Sequence, residues 1–329
     1  MTMTMHAAGF GALESPIYSR LETMARVASF DRPTLILDIE KVAENYRALA
    51  EGLGRAHIHY AVKANPHPAV IARLVAEGCH FDAASKGEVQ LCLSEGAKPE
   101  HISFGNTVKK AGDIAFAFRA GVRLFAADAA EELEKIAENA PGAEVYIRLI
   151  VETSAADWPL SRKFGCDREM ALELLDHAKS LGLNPVGFSF HVGSQTRKSA
   201  MWGPTLDEMA KIWDAARAAG HELTLLNIGG GFPAFYGETI EPLTDYAASV
   251  MEQVEARFEG AVRVMAEPGR GMVGDAGLIA AEVLLVSQKS ARDLHRWVYL
   301  DIGKFSGLAE TIDEAIRYQF ATPRDGDAV

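Results

Sequence analysis

Short apolar runs rich in Val, Ile, Leu and Phe alternate in this sequence with stretches whose apolar residues recur at helical spacing. The first pattern predicts buried strands and the second amphipathic helices. Strands are expected at His57–Lys63, His80–Asp82, His101–Phe104, Val122–Phe125, Glu144–Val151, Pro185–His191, Leu223–Ile228 and Val262–Glu267. Helices are expected between them at Pro68–Glu77, Lys86–Glu95, Ala111–Ala120, Ala129–Asn139, Arg168–Leu181, Leu206–Ala219 and Leu243–Phe258. Gly78, Gly96, Gly121, Gly182 and Gly220 follow five of these helices, where a C-terminal cap belongs.

Strand and helix units repeated in this way fit an α/β fold, a closed parallel (β/α)8 barrel of the TIM type. An open doubly wound sheet is the alternative. It carries a glycine-rich turn after its first strand, whereas here the first strand runs into Lys63-Ala64-Asn65-Pro66. After Gly271 the pattern changes: Leu278–Ser287 and Trp297–Asp301 read as strands with no long helix between them. They suggest a second, β domain, which Thr34–Asp38 could join. The expected division is residues 1–38 as an N-terminal segment of the β domain, 39–272 as the barrel, and 273–329 as the start of a C-terminal β domain.

Composition narrows the class. Of 329 residues, 48% are hydrophobic, enough for a large core, and no apolar run reaches the length of a membrane helix. Met1–Phe10 has neither a basic start nor an apolar stretch, so no secretion signal is expected. The formal net charge of −12 disfavours nucleic acid as a partner and mildly favours a cationic small molecule. Cys79, Cys92 and Cys166 form no C-x-x-C pair, which fits buried thiols in a reducing cytoplasm.

In a parallel barrel, chemistry collects at the C-terminal ends of the strands. Lys63 ends the first strand, where alternation puts it on one face with His59 and Ala61. It is either an amine that takes up an aldehyde or a side chain snorkelling to the rim. Glu267 ends an apolar run and asks for a cation, either a protonated ring nitrogen or Arg270. Gly229-Gly230-Gly231 is either a phosphate cradle, helped by Ser194, Gly269 and Arg270, or a tight turn. His191, sharing a strand face with Ser189, either stacks on an aromatic ring or is a hydrogen-bonded core histidine. His57 and His59 sit at the early end of their strand without a carboxylate or cysteine cluster, so no metal site is expected.

Together the motifs resemble the barrel-fold pyridoxal-phosphate (PLP) decarboxylases that act on ornithine, lysine, arginine and diaminopimelate. The matching strings are Tyr60-Ala61-Val62-Lys63-Ala64-Asn65, Phe81-Asp82-Ala83-Ala84-Ser85 with Gly87-Glu88, Phe190-His191-Val192-Gly193-Ser194-Gln195, Ile228-Gly229-Gly230-Gly231-Phe232-Pro233 and Ala266-Glu267-Pro268-Gly269-Arg270. They stand in the family's order and span most of the chain.

The resemblance implies PLP carried on Lys63, with Asp82 positioning that lysine and His191 stacking on the ring. It places Ser194, Gly230, Gly231, Gly269 and Arg270 at the phosphate, and Glu267 at the ring nitrogen. The string Asp157-Trp158-Pro159-Leu160-Ser161-Arg162-Lys163-Phe164-Gly165 resembles the bacterial ornithine decarboxylases. Ornithine is therefore the expected substrate, putrescine the expected product, and lysine or diaminopimelate the alternatives. Asp313 or Glu314, with Glu314 favoured, would meet the substrate's distal amine. A head-to-tail homodimer with shared active sites is implied, with no nucleic acid or membrane partner. A non-catalytic PLP-binding relative is the reading from another class.

The family also carries a later Cys-Asp-Ser-x-x-Asp-like motif and a phosphate-binding tyrosine, and neither is found in this sequence. The expectation is a fragment of a longer product that binds PLP and decarboxylates poorly.

Overall fold

A computed structural model describes residues 30–150, 163–258, 262–314 and 316–322; the side chains of residues 313 and 314 lie outside the described set. Its centre is a closed barrel of eight parallel strands. In chain order these are β2 (His57–Ala61), β3 (His80–Ala83), β4 (Ile102–Phe104), β5 (Leu124–Ala127), β6 (Glu144–Arg148), β7 (Asn184–Ser189), β8 (Leu225–Asn227) and β9 (Arg263–Ala266). Each pairs with the next, and β9 closes on β2 through His57 opposite Met265 and Ile58 opposite Ala266. The interior packs Ala126, Tyr146, Val186, Leu225 and Met265, one from each of five strands.

Helices fill the connections: α2 (Pro68–Ala76), α3 (Lys86–Ser94), α4 (Ala111–Arg119), α5 (Ala130–Asn139), α6 (Arg168–Ser180), α7 (Gly203–Ala218) and α8 (Leu243–Glu255). Local chemistry fixes their starts. The Ser85 hydroxyl accepts from Glu88 N, and the Asp167 carboxylate accepts from Met170 N. A helix that the sequence pattern did not flag, α1 (Ile39–Leu53), precedes the barrel and buries Val42, Ala43, Leu49 and Leu53. Asp38 caps it, accepting from Glu40 N and Lys41 N.

Several strands are shorter than expected. β2 stops at Ala61, whose N–H donates to Pro268 O, and Val62–Ala64 turns as a 3-10 helix closed by the Tyr60 hydroxyl on Asn65 O. β5 lies two residues later than its apolar run begins, because Val122 N still closes the end of α4 on Ala117 O. β7 ends at Ser189, so His191 lies beyond the strand whose alternation was used to orient it.

By internal contacts the chain falls into two units: residues 42–234 with 240–273, which hold the barrel, and residues up to 41 with 235–239 and those from 274 onward. The second unit has two small antiparallel sheets. β1 (Thr34–Leu37) pairs with β10 (Gly277–Ala280), and β11 (Val283–Ser287) with β12 (Trp297–Leu300). The expected single strand Leu278–Ser287 is thus two. The break falls where Glu282 N donates to the Asp301 carboxylate and Asp301 N to Glu282 O.

Candidate active site

The C-terminal ends of the barrel strands carry the polar residues singled out in the sequence. Lys63 sits in the 3-10 turn after β2 and is exposed. Alternation along β2 therefore does not set its direction. Its charge nevertheless acts on two groups at other strand ends, Asp82 of the adjacent β3 and His191 beyond β7, favouring the ionised acid and the neutral imidazole.

Asp82 lies on β3 and is buried. Burial pushes its carboxyl well above the ordinary value, and the like charge of Glu267 pushes the same way, while Lys63 and Arg148 oppose them. Its Oδ1 has no hydrogen-bond partner among the described residues. That oxygen occupies the space a side chain at residue 105 would need: a Cβ on Gly105 would meet it at 1.9 Å. A buried acceptor left open is costly unless something else satisfies it.

Glu267 follows β9 and is held from two other strands. Asn227, the last residue of β8, donates from Nδ2 to Glu267 Oε1 at 2.5 Å, and the Tyr146 hydroxyl of β6 contacts the same oxygen at 3.4 Å. Asn227 is fully buried and also accepts from Gly229 N at 2.9 Å, so it ties the carboxylate to the start of the glycine run. Burial first, then the charge of Glu267, raises the Tyr146 phenol well above its ordinary value, which keeps it a neutral donor.

His191 points its Nδ1 at Gly193 N, which donates to it at 3.0 Å. Burial, helped by the charges of Arg148 and Lys63, pushes its pKa down to about 3. The ring is therefore neutral near pH 7, with the proton on Nε2. That nitrogen lies beside Gly230, where a Cβ would come within 2.9 Å of it and within 2.7 Å of Glu267 O. Gly231 has φ +112, and a Cβ there would meet Gly193 O at 2.7 Å. The two glycines thus keep backbone open where the loops after β7, β8 and β9 converge. Arg270 donates from Nε to Ser194 Oγ at 2.9 Å across these loops. Gly269 lets its own loop close on the turn of Lys63; a Cβ there would stand 2.9 Å from that of Ala64.

Lys63, Asp82, His191, Ser194, Gly230, Gly231, Glu267, Gly269 and Arg270 all belong to the barrel unit. Asp313 and Glu314 fall in a 3-10 turn, Ala309–Glu314, and their side chains lie outside the described residues, as do residues 157–162 of the ornithine-decarboxylase-like string. The end of that string is anchored: Gly165 N donates to Asp128 Oδ2 at 2.7 Å, and Arg148 lies over the Phe164 ring. The three cysteines are buried, and burial raises all three thiols, Cys92 and Cys166 to about 12.

Sequence reading missed Tyr146, Arg148 and Asn227. Arg148 is the last residue of β6, but the apolar run through Val151 made the strand look longer and hid its end.

Three kinds of likeness to known proteins bear on this arrangement. Residues 39–274 match the family model described as pyridoxal-dependent decarboxylase, pyridoxal binding domain. A lysine/ornithine decarboxylase of Selenomonas ruminantium is 36% identical over 282 residues, which are 84% of this chain and 70% of that protein. An antizyme inhibitor 2 of Xenopus laevis is 31% identical over 251 residues, 76% of this chain and 55% of that protein. Among solved structures, a lysine/ornithine decarboxylase from Vibrio vulnificus complexed with cadaverine superposes with a TM-score of 0.82 at 33% identity, covering 93% of this chain and 80% of that one.

Proposed function

This chain belongs to the pyridoxal-dependent decarboxylase family, and we propose that it removes a carboxylate from a diamino acid, ornithine before lysine or diaminopimelate, to release CO2 and the corresponding amine. Putrescine would then be its product and polyamine biosynthesis its setting, in a cytoplasmic, head-to-tail homodimer.

The observation that carries the reading is the convergence at the barrel mouth of an exposed amine, a tethered carboxylate and a side-chain-free cradle. The residues fit PLP. Asp82 keeps a buried oxygen without a partner among the described residues, and Gly230 and Gly231 leave open backbone beside Ser194 and Arg270. When bound, PLP supplies an electron sink for the pair left by a departing carboxylate.

The chain's own groups divide the remaining work. Lys63 would carry the cofactor's aldehyde carbon on its amine. Ser194, Gly230, Gly231, Gly269 and Arg270 would hold the phosphate, the arginine adding charge to hydroxyl and amide donors. Glu267, fixed by Asn227 and Tyr146, would hold a protonated ring nitrogen and keep the ring electron-poor. A neutral His191 would offer a flat face to the ring. Asp82 would orient the Lys63 ammonium. Asp313 or Glu314, preferably Glu314, would pair with the substrate's distal amine. The family resemblance suggests these roles, and the chemistry of each group and, for all but the last pair, its place in the barrel unit support them.

The test is borohydride reduction of the protein with added PLP, followed by peptide mass spectrometry, beside Lys63→Ala. The cofactor mass should appear on the peptide bearing Lys63 and vanish in the variant; a mass on another lysine would overturn the assignment. CO2 release from carboxyl-labelled ornithine and lysine, each in competition with the other, should favour ornithine; an inverted kcat/KM ratio would return the substrate to lysine, and an equal one would make the chain indifferent between them. Likeness to an antizyme inhibitor supports a second reading, a non-catalytic relative. Uptake of PLP on Lys63 with no CO2 from any basic amino acid would select it.

A further inference from the structure

Gln195 is the one non-glycine residue with positive φ, +58, among the described residues. It is also buried, with 3% of its surface exposed. An L-residue is retained in the left-handed region only where its surroundings over-determine it. Those surroundings are explicit here. Its amide grips one residue in both directions: Nε2 donates to Ala234 O at 2.7 Å, and Ala234 N donates to Oε1 at 3.0 Å. The loop after β7 is thereby clamped to the loop after β8.

Four further bonds extend the clamp. Thr196 N donates to Gly231 O at 2.9 Å, and the Thr196 hydroxyl donates to Gly193 O at 3.1 Å. The Tyr246 hydroxyl donates to Thr196 O at 2.6 Å and accepts from Trp202 Nε1 at 2.8 Å, anchoring the loop to α8. Between these fixed points lie Ser194, hydrogen-bonded to Arg270, and Gly231. The amide nitrogen and the amide oxygen of Gln195 are both engaged with the backbone of Ala234.

We infer that Gln195 is a positioning residue for phosphate recognition: its left-handed backbone and two-way amide clamp set Ser194 and Gly231 at the spacing a phosphoryl group requires, without touching that group. The inference rests on the PLP reading above. It adds that the selectivity of the cradle for a phosphorylated over an unphosphorylated ring is held by a residue outside the cradle.

Gln195→Gly isolates the side chain, since glycine adopts φ +58 at no steric cost. Gln195→Asn is the second variant; asparagine also tolerates the left-handed region but is one methylene too short for the clamp. The measurement is the Kd for PLP and for pyridoxal, which lacks the phosphate, by fluorescence titration of wild type and both variants, with circular dichroism confirming the fold. Wild type should prefer PLP. In the variants PLP should weaken by roughly tenfold or more while pyridoxal stays within about threefold, because only charge-assisted phosphate bonds are misplaced. A parallel loss of both ligands, or an unchanged PLP Kd, would overturn the inference. A wild-type chain with no preference for PLP would instead sink the proposed cofactor site, and that result is read before any variant is made.

Discussion

Glu267 shows how a single polar residue can be legible in sequence while its support is not. A glutamate at the end of an apolar strand is expensive unless it is used, so Glu267 and Lys63 stand out from the pattern alone. Asn227 ends one apolar strand and Tyr146 sits inside another, 40 and 121 residues from the carboxylate they hold, and only barrel closure brings them to it. Asn227 is the more exposed to test because it serves two partners, Glu267 and Gly229 N. Asn227→Ala should lower unfolding free energy in urea by about 1–3 kcal/mol, the usual cost of stranding a buried donor, and should also weaken PLP binding. If stability falls and the PLP Kd is unchanged, the asparagine supports only the turn and not the carboxylate.

The strands and helices were read with uneven success, for a physical reason. Helix ends are set locally, by caps such as Ser85 and Asp167 and by glycines that follow the last turn, so the expected and observed helices agree within a few residues. Strand ends are set by partners. β2 stops because Ala61 is taken by Pro268, two hundred residues away in sequence, and no local pattern encodes that.

The opposite ends of these strands carry a cluster of which the sequence pattern picked out only two members, His57 and His59. His57, His59, His80 and His101 gather at the starts of β2, β3 and β4, with the His80 and His101 rings stacked at 3.9 Å. Burial first, then the charges of His101 and His57, pushes His80 down from 6.5 to about 4, with Glu100 opposing; burial also lowers His57, helped by Arg263, and lowers His59, helped by His80 and His57. Between pH 6.5 and about 4 the unfolded chain binds more protons than the folded one. The stability these rings contribute is complete above pH 6.5 and is lost as pH falls towards 4. Asp82 acts in the reverse sense, its raised carboxyl costing stability as pH rises above 3.8. The comparison of His80→Gln with wild type isolates the histidine term. Urea unfolding of the variant should lose less stability between pH 7 and pH 5 than wild type does, and parallel curves would show that the stack is indifferent to protonation.

The two units of the chain differ in how they meet water, and the difference has a consequence for behaviour in solution. The barrel unit buries its apolar strands within a closed sheet that has no edge. In the other unit, Val283, Leu284, Leu285 and Val286 are 46%, 60%, 52% and 46% exposed, and Trp297, Val298 and Tyr299 opposite them are also exposed. The register shifts at Leu284, but Leu285 and Val286 are successive paired residues and so face opposite sides, and both faces of this hairpin are open among the described residues. A two-stranded hairpin is marginal alone, and an apolar one with free edges recruits further strands or further apolar surface. The chain should therefore associate as its concentration rises and bind an apolar dye, and this association should be separable from the barrel chemistry. Leu284→Lys with Val286→Glu, one charge on each sign so that net charge is kept, should slow association in sedimentation velocity and dim the dye while leaving PLP uptake on Lys63 in place. Loss of PLP uptake in that double variant would mean that the hairpin supports the cofactor site, and undiminished association would move the adhesive surface elsewhere, with the exposed Leu35 and Ile279 of the β1–β10 pair as the next positions to charge.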